Sequence, residues 1–74
     1  MSKAKVDIRT QVGDNVTYYM EARGLMPQQV ADQAGVSPAC IYATMKGKTY
    51  PRAHLIMALA DILGVSEGTL LKRK

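Results

Sequence analysis

The stretch from Gln28 to Lys46, QQVADQAGVSPACIYATMK, constrains this chain more than any other. It reads as two short helices joined by a tight turn at Gly35. Val30, Ala31, Ala34, Val36, Ile41 and Met45 are apolar or small, and their spacing buries one face of each helix and sets the second across the first. Ala31 and Gly35 are small where the two helices must approach. The second helix then turns its other face outward, carrying Pro38, Ala39, Tyr42 and Ala43.

Punctuation on either side extends this pair into an all-helical chain. Val12, Val16, Tyr19 and Met20 recur at helical spacing, which predicts a first helix running to about Arg23 and ending at Gly24. Pro27 suits the first position of the second helix, where its missing N–H costs nothing. Ser37-Pro38 starts the third: the Ser37 hydroxyl caps the N–H of Cys40, and Pro38 takes the first helical position. That helix runs to about Lys46 and stops at Gly47. Pro51 is expected to open a fourth helix closed by Gly64, apolar nearly all round because Leu55, Met57 and Ile62 lie off the Ile56, Leu59, Ala60, Leu63 stripe. Ser66 caps a short fifth helix with Leu70 and Leu71. The weak strand candidate is VDIRTQV at residues 6–12. The expected organisation is a basic, mobile arm over residues 1–11, one compact domain over 12–71, and a basic tail over 72–74.

At 74 residues the chain is a single domain at most, and a domain this small buries only about 60% of its unfolded surface. Trp and Phe are absent, so the core must be aliphatic, with five Met to fill gaps. Lys and Arg total 10 against 6 acids, which suits a polyanionic partner. The basic residues cluster: Lys46, Lys48 and Arg52 follow the third helix without an acid between them, and the chain ends Lys72-Arg73-Lys74. One cysteine, Cys40, excludes an internal disulfide and any multi-cysteine metal site. The start lacks the apolar core of a signal peptide, and no apolar run approaches the ~18–20 residues of a membrane span. The expected compartment is the cytoplasm.

No catalytic constellation is present: there is one His and no Gly-rich phosphate loop or evident carboxylate pair. His54 has no Cys, Asp or Glu at ligand spacing, so no metal and no cofactor are expected. Tyr18 and Tyr19, adjacent on a helix, go to different faces and make no stacking platform. Several residues carry a plain reading beside a functional one. Ser37 is a helix cap whose hydroxyl is also able to meet a phosphate or base. Ala39 and Ala43 are good helix formers that also offer methyl contacts to thymine. Tyr42 is a solvated ring or a contact to phosphate or a base edge. Lys46, Lys48 and Arg52 are a solvated rim or phosphate contacts. Gln28 lies at a helix start, where free N–H groups bind phosphate oxygens.

From about Val12 to Leu71 the chain resembles the Cro/repressor-type helix-turn-helix family, also known as lambda repressor-like or XRE. The resemblance is carried by Gly24-Leu25, Val30-Ala31, Gly35-Val36-Ser37, Ile41, Gly47-Lys48, Pro51, Leu59-Ala60, Leu63-Gly64-Val65-Ser66 and Leu70-Leu71, in that order. It implies an all-α, compact five-helix domain, usually a dimer on pseudo-palindromic operators, with helix three in the major groove of double-stranded DNA. It also implies phosphate contacts around Gln28 and in the loop from Gly47 to Arg52, Thr49 included.

The chain departs from the family in two places. Relatives often carry Gln or Arg at the first exposed positions of helix three, whereas here Pro38 to Met45 contain no Arg, Lys, Asn or Gln. Some relatives pair an Arg late in helix one with a Glu late in helix three; the matching positions here are Met20 and Met45, which implies an apolar contact instead. The expected function is a phage or bacterial transcriptional regulator rather than an enzyme. The rival is a protein-interaction module on the same fold, such as an antitoxin or anti-regulator. The surplus apolar surface of helix four and beyond makes Leu55, Ile62, Val65, Leu70 and Leu71 the candidate dimer contacts, and no small-molecule ligand is expected.

Overall fold

The computed structural model describes residues 8–72. They form five helices: α1 (Ile8–Ala22), α2 (Pro27–Ala34), α3 (Pro38–Met45), α4 (Ala53–Leu63) and α5 (Glu67–Leu71). The first helix thus begins before Val12 and takes in residues 8–11, which were expected in the arm. The strand candidate is helical from residue 8 onward. Residues 1–7 of the expected arm, and 73–74 of the tail, lie outside the described residues.

The helix ends follow the local signals. Ser37 Oγ accepts from Cys40 N at 3.3 Å, and Ser66 Oγ accepts from Thr69 N at 3.1 Å. At the head of α2 the cap runs the other way: Gln29 Oε1 accepts from Met26 N at 2.8 Å. Gly35 has φ +73°, the left-handed conformation that lets Val36 N reach back to Ala31 O at 3.0 Å. Pro51 does not open α4. It is buried two residues before Ala53, while Arg52 takes the cap position in extended backbone.

Val12, Val16 and Met20 of α1, Val30 and Ala31 of α2, Ile41 of α3, and Leu55, Ile56, Leu59, Ala60 and Leu63 of α4 close one core with Leu70 of α5. Each fully buried aliphatic side chain stabilises the fold by roughly 1.5–3 kcal/mol. Met20 is 1% exposed, and Met45 is half-buried against the same cluster. Two candidate dimer contacts are corrected: Leu55 of α4 and Leu70 of α5 are buried in the core, because α4 packs on α2 and α1 and α5 packs on α1. Ile62, Val65 and Leu71 are half-buried, and Met57 is 56% exposed, so α4 keeps one apolar outer edge rather than an apolar circumference.

Two amides hold α5. Asn15, only 6% exposed on the buried side of α1, donates through Nδ2 to Leu70 O and to Lys72 O, both at 2.8 Å. Gln11 Nε2 donates to Leu71 O at 3.1 Å. A five-residue helix leaves most of its carbonyls without intrahelical partners. These donors satisfy three carbonyls at its end and tie the two ends of the domain together.

Candidate nucleic-acid interface

Helix α3 is held from behind at both ends. Its head is joined to α2 by the Gly35 turn and closed by the Ser37 cap. On its inner face Ile41 is fully buried, and Thr44, 1% exposed, donates its hydroxyl to Cys40 O at 3.0 Å. Its tail rests against the backbone of α1. A Cβ placed on Gly13 would collide with Thr44 O and stand 2.8 Å from Met45 O. Gly47 just beyond has φ +73°, and a Cβ there would stand 2.9 Å from Thr10 Cα. Two glycines, one on each element, therefore allow α1 and the end of α3 to meet backbone to backbone.

The opposite face is open. Ser37, Pro38, Ala39 and Tyr42 are exposed, Tyr42 by 48%, while Ala43 is half-buried. Lys46, Lys48, Thr49 and Arg52 are all exposed on the segment that follows, and Gln28 is exposed on the first turn of α2. Gln28 and Tyr42 share a cleft of about 370 Å³ with Met26, Pro27, Gln29 and Asp32. Thr49 and Arg52 line a second cleft, about 220 Å³, with Cys40, Thr44 and His54. The fold thus places Gln28 beside Tyr42 of α3 and brings the loop against Cys40 and Thr44 of the same helix. Cys40 is half-buried.

Met26, Asp32 and Tyr50 join this surface without having been singled out in the sequence. Met26 is 62% exposed and Tyr50 44% exposed. Their signals were present: Met26 precedes the Pro that starts α2, and Tyr50 sits inside the basic segment KGKTYPR. Asp32 is visible as a face partner of Gln28 only once α2 is recognised, since the two are four residues apart. Away from this face, the Tyr18 and Tyr19 rings meet edge to face, 4.9 Å between centroids, and Arg23 lies 5.2 Å over the Tyr19 ring. An edge-on pair of this kind offers no flat stacking surface.

Among the described residues, every buried side-chain polar atom has a hydrogen-bond partner. No group of three or more His, Cys, Asp or Glu among them is placed to hold a metal ion, and no helix is long and apolar enough to cross a membrane.

A short helix seated across another, its free face exposed and a basic loop at its end, defines the class of helix-turn-helix DNA-binding proteins. The family model described as helix-turn-helix domain matches residues 11–72, and the chain belongs to that family. Solved structures agree on the fold. The clp gene regulator ClgR from Corynebacterium glutamicum is 19% identical, with a TM-score of 0.87, covering 92% of this chain and 72% of that one. The SOS-response transcriptional repressor LexA from Eubacterium rectale is 25% identical, with a TM-score of 0.87, over 97% of this chain and 77% of that one. The restriction-modification controller protein C.AhdI from Aeromonas hydrophila is 19% identical, with a TM-score of 0.79, over 84% and 94%. Comparison with curated proteins gave no match. The fold and family are those of DNA-binding regulators, not of enzymes.

Proposed function

We propose that this chain is a sequence-directed transcriptional regulator of the Cro/repressor type, from a phage or bacterium, acting in the cytoplasm. Helix α3 enters the major groove and presents Ser37, Pro38, Ala39, Tyr42 and Ala43 to the base edges. Lys46, Lys48, Thr49 and Arg52 grip phosphates on one flank and Gln28 does so on the other. The observation that carries this reading is the open face of α3 flanked by an exposed basic loop on an element braced from behind. The protein acts as a homodimer on a pseudo-palindromic operator, with half-sites about 34 Å apart. Ile62, Val65 and Leu71, with exposed Met57, form its contact; their partial exposure supports this assignment.

Fluorescence anisotropy against a random duplex library tests the reading. With about six phosphates neutralised per dimer, the slope of log K against log salt is about −5. Absence of salt-sensitive binding to any duplex refutes it. The rival role, a protein-interaction module such as an antitoxin, predicts co-purification with one specific protein and no duplex affinity.

A further inference from the structure

We propose that the cleft between α2 and α3 reads 5-methylcytosine, so that cytosine methylation of the operator strengthens binding. This rests on the DNA-binding reading above and names the base chemistry of the same surface.

Three observations support it. First, the reading face is short of the side chains that recognise guanine or adenine. No Arg, Lys, Asn or Gln lies between Pro38 and Met45, Pro38 has no N–H, and the Ser37 hydroxyl already accepts from Cys40 N. Bidentate recognition of guanine O6/N7 or adenine N6/N7 from α3 is therefore absent. Second, the surface offered in its place is apolar though exposed. Met26, 62% exposed, and Pro27 stand across the cleft from the Tyr42 ring, and Ala39 is exposed one turn earlier on α3. Exposed apolar surface on a groove-facing element fits the one apolar feature of the major-groove edge, a pyrimidine C5-methyl group. Third, Asp32 shares this cleft with Tyr42. A carboxylate accepts from the N4 amine of cytosine, whereas it repels the O4 carbonyl of thymine. An acceptor beside an apolar wall matches an amine beside a methyl, which is the edge of 5-methylcytosine. The adjacent Gln29 is turned toward the head of its own helix, its amide oxygen accepting from Met26 N, and Gln28 is assigned above to phosphate.

The test selects bound duplexes from two random pools, one synthesised with 5-methylcytosine in place of cytosine. The winners of the methylated pool are then measured by anisotropy with each methyl removed in turn. At least one position per half-site weakens by about three- to five-fold when its methyl is lost. Asp32→Ala lets thymine replace 5-methylcytosine at that position without loss, because both carry the methyl and only the amine is no longer read, while its thermal melt confirms that it folds; continued rejection of thymine by this variant overturns the assignment of Asp32. A parallel arm replaces thymine by deoxyuridine. Winners that bind equally with and without the cytosine methyl overturn the proposal, as does a penalty confined to the thymine-to-uracil arm. Failure of both pools to yield salt-sensitive binding overturns the DNA-binding reading itself and is distinguishable from both.

Discussion

Replacing Gly13 by Ala tests how α3 is held. Taken as an isolated helix, α1 gains from the change, since Ala is better than Gly in a helix interior by about 0.5–1 kcal/mol. The packed structure reverses the sign. The new Cβ collides with Thr44 O and lies 2.8 Å from Met45 O and 3.1 Å from Gly47 N. All three are backbone atoms, of the last turn of α3 and of the residue after its cap, so no side chain can swing aside. Relief requires α1 and α3 to part by about 0.5–1 Å, and a gap of that size forfeits a quarter to a half of each contact well it opens. Val12 and Val16, both fully buried on α1, lie one residue before and three after Gly13 and move with it. With roughly 40 contacts each at about 0.1 kcal/mol, they lose about 1–2 kcal/mol apiece. Net of the helix gain, Gly13→Ala costs about 2 kcal/mol, which lowers the Tm of a domain this size by about 8–16 °C. Thermal and urea melts followed by circular dichroism measure it. Gly68→Ala is the internal control: the nearest atom to a Cβ there is Ser66 Oγ at 3.9 Å, so only the helix preference acts and stability is unchanged or rises slightly. If Gly13→Ala melts at or above the parent temperature, the backbone-to-backbone seat of α3 is wrong.

Other consequences are equally direct. Asn15→Ala removes the donor to Leu70 O and Lys72 O and costs about 1–3 kcal/mol. Asn15→Asp is less stable still at neutral pH, because a carboxylate faces two carbonyl oxygens; urea melts showing Asp equal to Asn would refute the clamp. Met20→Arg buries an uncompensated charge at a position 1% exposed and costs about 3–5 kcal/mol. An unchanged melting temperature would show that the site is not closed. Lys48→Ala weakens binding to all duplexes alike and flattens the salt slope by about 1 per monomer, whereas Tyr42→Ala changes the ranking among duplexes. Equal effects of both on every sequence, read by anisotropy, contradict the division between phosphate and base contacts.

The helix-turn-helix was legible in the sequence because its signals are local. Ser37 caps Cys40 within one turn, Gly35 supplies the left-handed turn, and Val30, Ala31 and Ile41 fall on one face by spacing alone. The candidate surface was legible for the same reason: given α3 and a buried Ile41, Pro38, Ala39 and Tyr42 must face outward. The start of α1 was not. Its first turn is polar and gains support from Gln11, whose partner Leu71 O lies 60 residues away. Nor does helical spacing separate Leu55 from Ile62 on an apolar α4, because both are aliphatic and only neighbouring helices choose which of them is covered.

Sequence alone therefore determined where α2, α3 and α5 start and where the first four helices stop, that the fold is helical, and which side of α3 is left exposed, since each depends on residues within a turn or two. Tertiary structure alone decided that Gly13 is a contact surface, that Asn15 is a clamp, that Leu55 and Leu70 are core, and that Asp32 and Met26 share a cleft with Tyr42. Those roles belong to pairs of residues on different helices. A side chain's role there is set by whatever the fold brings opposite it, which no local pattern encodes.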